Sequence, residues 1–318
     1  IQNVVLEVEQ GYYNYLDAKS QLDAAESAEK EAREGLHAAK RRHEVGVATV
    51  ADVLQAQTAV SQAELNRQTV AGQIETLRGA LATSMGLPAN MSFEVGELPA
   101  SVPTEKVAVA VDDLIEGSLK RRPDLLAARW QAEKAMAKVD TVKAQAMPKF
   151  SVTANGNRVY YRLETGTPYS DNWSAQLSVA FPLFTGFANT FDLMKAKADA
   201  ESSRTQVATM QQQVILDVWT AHSNLKTAAQ RVRTTADLLA SASESERVML
   251  ARYKEGVATI LDLLTAQATL ASARSQEIQA RTDWLLAIAE LAHATGGLQP
   301  PPENETATGS APPTRESP

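Results

Sequence analysis

Apolar residues and alanines recur at three- and four-residue steps through Val4, Val8, Tyr12, Tyr15, Leu16, Leu22 and Ala25. That spacing predicts one helix from Val4 to His43, about forty residues and so about 60 Å long. A second helix is expected from Ala51 to Met85, stopped by Gly86-Leu87-Pro88. Prolines 88, 99 and 103 then interrupt helix, and 107–120 carries a short amphipathic pattern. Arg122-Pro123-Asp124-Leu125 opens the next helix, which Pro148 ends after Met147. Pro123 suits the first helical position and Asp124 the positive end of the helix dipole, a structural start. A ligand on Arg121 or Arg122 is the lesser alternative.

The period then changes from 3.6 to two. Phe150, Val152, Ala154 and Gly156 alternate with Ser151, Thr153, Asn155 and Asn157. Later Trp173, Ala175, Leu177, Val179 and Phe181 alternate with Ser174, Gln176, Ser178 and Ala180. Two strands of about nine to ten residues follow, each with an apolar and a small polar face. A loop from Arg158 to Asn172 joins them and carries Tyr160, Tyr161, Gly166, Pro168 and Tyr169. The pattern fits a membrane β-barrel hairpin with an aromatic girdle, and the alternation alone fits a half-buried soluble hairpin equally well. After Pro182-Leu183-Phe184-Thr185-Gly186 the helical period returns from Asn189 to Tyr253, about 100 Å of helix. A last helix is expected from Leu261 to His293, ending at Gly296-Gly297. The Pro/Thr/Ser/Glu-rich tail after Gln299 reads as disordered, with a formal sequon at Asn304-Glu305-Thr306.

One stretch occurs twice. Gly46-Val47-Ala48-Thr49-Val50-Ala51-Asp52 returns as Gly256-Val257-Ala258-Thr259-Ile260-Leu261-Asp262, at an offset of 210 residues. The same offset carries Val4, Leu6 and Val8 onto Val214, Leu216 and Val218, Asn14 onto Asn224, Arg42 onto Arg252 and Gly86 onto Gly296. An ungapped register of that length is an internal repeat, and each copy is a helical hairpin turning at its glycine.

Composition narrows the classes. Aromatics are only 5% of a 44% apolar chain, so surface is buried by close approach of alanine-rich helices. A net charge of −7 without a basic block argues against nucleic acid. No cysteine is present, and histidines 37, 43, 222 and 293 lack ligand spacing, so no metal or cofactor site is expected. Neither a phosphate loop nor a nucleophile elbow appears, and the carboxylates lie scattered on helix faces, read as mostly solvated; the chain does not read as an enzyme. No run of about twenty apolar residues is present, so no transmembrane helix is expected. The start at Ile1, already in helical pattern and with no signal peptide before it, reads as the interior of a longer protein.

These residues resemble the TolC-like outer-membrane efflux and secretion channels over nearly the whole chain. The repeated turn carries most of the likeness, with Arg252-Tyr253-Lys254-Glu255-Gly256 leading into Leu261-Asp262-Leu263-Leu264-Thr265-Ala266-Gln267. Arg122-Pro123-Asp124-Leu125, Pro148-Lys149-Phe150, and Trp173 followed by Pro182-Leu183-Phe184-Thr185-Gly186 carry the rest.

The resemblance implies a mainly α protomer with one β-hairpin, trimerising into a periplasmic α-barrel capped by a transmembrane β-barrel. It divides the chain into a first-repeat hairpin (1–88), an equatorial connector (89–121), a second-repeat helix (122–147), a transmembrane β-hairpin (148–184), a long second-repeat hairpin (185–298) and a tail (299–318). The first repeat's own leading helix and strands are missing, which fits a start inside a longer protein. The implied function is a passive exit duct of a tripartite efflux or type I secretion system in a Gram-negative outer membrane. The implied partners are a homotrimer, a periplasmic adaptor, indirectly an inner-membrane pump, and outer-membrane lipid. A soluble coiled-coil scaffold and the adaptor itself are the alternatives.

The resemblance also assigns residues. Gly46, Val47, Gly256 and Val257 are adaptor contacts at the tips, although a glycine at a helical turn needs no partner. Asp52, Tyr253 and Asp262 fall at the periplasmic constriction. A Tyr253–Asp52 hydrogen bond is expected, with the family's gate arginine replaced by Ala258. Asp262 lines an acidic ring or compensates its helix dipole, and Thr265 replaces the family's second ring aspartate. Phe150, Val152, Trp173, Leu177, Val179 and Phe181 form the lipid face.

Overall fold

The computed structural model describes residues 2–91, 93, 95–99, 102, 110–161, 164–165 and 168–298. The elements are α1 (Gln2–Glu44), α2 (Val50–Ser84), α3 (Val111–Arg121), α4 (Pro123–Gln145), β1 (Lys149–Tyr160), β2 (Tyr169–Ala180), α5 (Ala188–Lys254) and α6 (Ile260–Ala294). The chain is mainly helical with one antiparallel hairpin, as the periodicities indicate. The expected start of α3 at Val107, the loop glycine Gly166 and the tail after Gln299 lie outside the described residues.

Two compact units are present: Ile1–Arg122 with Val214–Pro318, and Pro123–Gln213. In the first, α1 packs against α2 and α6. The contact surfaces are mostly alanine: Ala18, Ala25, Ala32, Ala38 and Ala39 on α1, Ala56 and Ala82 on α2, Ala273, Ala280, Ala287 and Ala289 on α6. Small side chains let helix backbones approach closely, and larger residues fill the remaining space. Leu225, Ala228 and Ala229 of α5 pack with Trp284 and Ala287 of α6, and Leu16, Leu81, Leu263 and Leu270 are fully buried.

Ion pairs set the helix register. Glu29 of α1 accepts from Arg33 at 2.6 Å and from Arg67 of α2 at 2.7 Å. Burial would raise its carboxyl, but the two guanidinium hydrogen bonds outweigh that and hold it below the ordinary range. Arg274 of α6 grips Glu31 of α1 with two bonds, 2.7 and 3.0 Å. Arg122 is buried, donating to Asp217 at 2.8 Å and to the Ala294 carbonyl at 3.4 Å. That accounts for Arg122 structurally, without a ligand.

In the second unit, β1 and β2 pair without a bulge. Phe150 faces Val179, Val152 faces Leu177, Ala154 faces Ala175 and Gly156 faces Trp173, so the apolar residues of both strands share one face. Ser151–Ser178, Thr153–Gln176 and Asn155–Ser174 share the other. Gly156 is required here: a Cβ at this position would stand 2.6 Å from the Trp173 ring. Each strand has 12 residues, longer than the alternation suggested. The expected loop from Arg158 to Asn172 is therefore corrected to a shorter connection between Tyr160 and Tyr169. Arg158 extends the ladder by gripping Asp171 across it at 2.5 and 2.8 Å and stacking on Tyr169 at 4.6 Å.

Candidate functional site at the paired helical turns

Each repeat turns through the same hydrogen bonds. At the end of α1, Gly46 N–H donates to His43 and Val47 N–H to Arg42, both at 2.9 Å. At the end of α5, Gly256 N–H donates to Tyr253 at 3.1 Å and Val257 N–H to Arg252 at 2.9 Å. These are Schellman motifs, which need a left-handed residue. Gly46 has φ 78° and Gly256 φ 83°, a region costly for any residue with a Cβ. Backbone geometry is thus a sufficient reason for both glycines.

The following helices start alike. Thr49 and Thr259 are N-caps with identical dihedrals, φ −85° and ψ 162°. Asp52 accepts from Thr49 N–H at 2.8 Å and returns its own N–H to the Thr49 hydroxyl at 3.2 Å. Asp262 accepts from Thr259 N–H at 2.9 Å and from its hydroxyl at 2.7 Å. Both aspartates are the third residue of a capping box. The Thr259 backbone bond, then its hydroxyl, holds the Asp262 carboxyl below the ordinary range, with Arg252 adding to the effect. Asp262 is exposed, so it presents a fixed negative charge near neutral pH.

The two turns flank a cleft of about 410 Å³ in the first unit, lined by Arg42, Ala48, Asp52, Tyr253, Gly256, Val257, Ala258, Thr259, Ile260 and Asp262. Five of the tip and gate candidates therefore meet in one place: Asp52, Tyr253, Asp262, Gly256 and Val257. Gly46 has no atom within 4 Å of its would-be Cβ, and Val47 is exposed beside it. The six candidates of the hairpin belong to the second unit and are not among the residues that line this cleft.

The expected Tyr253–Asp52 hydrogen bond is absent. Tyr253 is only 2% exposed and its hydroxyl has no partner, while Thr49 holds the Asp52 carboxylate. Burial raises the Tyr253 phenol, the Arg42 charge opposes that, and Asp52 raises it slightly further. The close partner is Arg42, whose guanidinium lies 4.7 Å from the ring centroid and whose Nη1 donates to the Tyr253 carbonyl. Arg42 escaped the motif reading because the contact spans 211 residues in sequence. The available signal was its repeat counterpart, Arg252. Carboxylates are also not all solvated: Glu246 is 9% exposed, beside Gln267.

Among the described residues, no group of three or more histidines or carboxylates could hold a metal, and no helix is long and apolar enough to cross a membrane.

The model of the family described as outer membrane efflux protein matches residues 1–87 and 114–297. The chain belongs to the outer membrane efflux protein family. Protein CyaE of Bordetella pertussis is 28% identical over 331 residues, covering 95% of this chain and 65% of its own. A protein named probable efflux pump outer membrane protein TtgC, from Pseudomonas putida, is 26% identical over 301 residues and 92% of this chain. The chain spans 60% of the length of that relative. Among solved structures, VceC of Vibrio cholerae superposes with a TM-score of 0.79 at 20% identity, covering 93% of this chain and 70% of its own. The outer-membrane channel OprN gives 0.80 at 20% identity, covering 93% and 66%. The family fold therefore runs through both units.

Proposed function

We propose that the chain is the outer-membrane exit duct of a tripartite efflux or type I secretion system in a Gram-negative bacterium. The observation that carries the reading is the β1–β2 apolar face. Phe150, Val152, Leu177, Val179 and Trp173 line one side in register, and Trp173 is 83% exposed. A two-stranded hairpin with that face in water and both edges open is not independently stable. Lipid on the face and strands from further protomers on the edges supply what it lacks. Phe181 continues the same alternation beyond β2.

In this reading three protomers close the barrel and conduction is passive. An inner-membrane pump drives export, and a periplasmic adaptor docks on the tips at Gly46, Val47, Gly256 and Val257. Val47 and Val257 are exposed on their turns, which supports that surface. Asp52, Tyr253 and Asp262 sit at the constriction, where three copies of Asp262 make an acidic ring favouring cations.

The test is electron microscopy and light scattering of the full-length protein in detergent. A detergent-bound trimer appearing as a long hollow cylinder is the expected result. A solid, water-soluble monomer or dimer would mean that the hairpin never meets lipid.

A further inference from the structure

We propose that Arg42 is a clamp that fastens the second helical turn to the first hairpin, and so sets the position of the constriction. Three contacts converge on one guanidinium. Its plane covers the Tyr253 ring at 4.7 Å, a cation–π distance. Its Nη1 donates to the Tyr253 main-chain carbonyl. Its Nη2 stands 3.6 Å from where a Cβ on Gly256 would be, so glycine leaves room for it beside the turn. The ring beneath belongs to the buried cluster of Ala38, Ala39, Ala56, Tyr253, Ile260 and Leu263, which joins α1, α2, α5 and α6.

The arrangement is one-sided. The repeat places Arg252 opposite Arg42, but Arg252 is exposed, and the residue matching Tyr253 is His43. His43 is exposed too, and its Nδ1 stays within its own turn, 3.0 Å from the Ala48 carbonyl. The first turn therefore reaches across to the second through Arg42, and the pair Arg252–His43 makes no return contact of this kind. Arg42 Nε and the Tyr253 hydroxyl are both buried without partners. The clamp is thus a stack and a carbonyl bond; the phenol oxygen contributes nothing to it. Arg42 is a positioning residue, and its influence on conduction rests on the channel reading above, whereas the clamp itself does not.

The test uses the full-length protein with nitroxide labels at Val45→Cys and Val257→Cys, one on each turn; both valines are exposed and this chain has no cysteine of its own. With labelled chains diluted in unlabelled protein, so that the distances fall within one protomer, electron–electron distance measurements should give one narrow distribution with Arg42 present. Arg42→Gln should raise the population of separated turns roughly thirtyfold, the factor expected for losing a partly buried cation–π contact with its bond. Arg252→Gln should leave the distribution unchanged. Tyr253→Phe should also leave it unchanged, whereas Tyr253→Leu, which loses the stack but keeps the main-chain carbonyl, should separate the turns in the same direction as Arg42→Gln and to a smaller extent. That pair carries the test if Arg42→Gln fails to fold. An unaltered distribution in Arg42→Gln or Tyr253→Leu, or separation in Tyr253→Phe, overturns the clamp. Bilayer recordings separate the two readings. No current from the unsubstituted protein sinks the channel reading and leaves the distances standing. Currents identical with and without Arg42, once the turns have separated, sink its role at the constriction.

Discussion

The two helical turns share a backbone and differ in wiring. Their Schellman bonds, left-handed glycines and capping boxes coincide, with the same cap dihedrals to the degree. Their side chains diverge. Arg42 leaves its own turn to stack on Tyr253, while Arg252 stays in solvent near Asp262. Leu36 packs against the buried cluster near the turns, whereas its repeat counterpart is the charged Glu246. Gln57 is exposed and its counterpart Gln267 is buried. The lesson is that a duplicated hairpin keeps its turn chemistry, which is local, and changes contacts that depend on neighbours.

Substitutions can separate the shared layer from the divergent one. The largest asymmetry should come from the arginines. Arg42→Gln removes a stack and a charged bond to a buried carbonyl, together about 2 kcal/mol. Arg252→Gln removes an exposed charge and should cost under about 0.5 kcal/mol. Denaturant unfolding of the two variants checks this, and equal losses would erase the distinction between the turns.

Next come changes that should act equally. Gly46→Ala and Gly256→Ala each force a Cβ into the left-handed region, costing about 1–2 kcal/mol. Neither site adds a clash, since Gly46 faces open space and Gly256 meets Arg42 at ordinary contact distance. A much larger loss at one site, read from midpoints of thermal unfolding, would mean that the backbones are not equivalent. Thr49→Val and Thr259→Val each delete a cap worth about 1 kcal/mol. Hydrogen exchange in the first turns of α2 and α6 should rise together.

The shared layer was legible in sequence as a repeated turn glycine and an aspartate at the start of the next helix, and the offset of 210 shows them twice. The threonine cap was not read, although it too is fixed by the chain within a few positions. The strands were legible through alternation, and their pairing register follows from matching apolar faces. Their ends were not, because Arg158 reaches across the ladder to Asp171 and extends pairing into what reads as loop. The Arg42–Tyr253 contact lay beyond reach because nothing local demands it. The hydrogen bond expected between Tyr253 and Asp52 failed because Thr49, three residues away, already holds that carboxylate.

In the family reading, Asp262→Asn is a smaller structural change, because an amide oxygen can still accept from Thr259. Its stability cost should be small and close to that of Asp52→Asn. The depressed Asp262 carboxyl gives stability present above the unfolded value and lost as pH falls through the folded one. The functional effect should be unequal. Asp262 is the more exposed carboxylate, so its neutralisation should lower cation selectivity more than that of Asp52. An unchanged reversal potential across a salt gradient in Asp262→Asn would refute the acidic-ring assignment.

The smallest effect tests the Leu36–Glu246 difference by pH. Burial pushes the Glu246 carboxyl above its ordinary range, and the charges of Glu31 and Glu34 on α1 push the same way. A bond from Gln267 and the charge of Arg274, both on α6, oppose them. The folded protein therefore takes up this proton before the unfolded chain does. Stability from this group is fully present below the unfolded value, near 4.5, and falls as pH rises through the folded one. Gln267 Oε1 is buried without a donor, and a neutral amide at position 246 offers one at any pH. Glu246→Gln should therefore stabilise the fold slightly at neutral pH, by under about 0.5 kcal/mol. The gain should shrink as pH approaches 4.5. Groups such as Asp262, whose stability runs the other way with pH, cancel when the two proteins are compared at each pH. A difference constant from acid to neutral pH would mean that Glu246 takes up its proton alike in the folded and unfolded chains, solvated as freely as the exposed carboxylates around it.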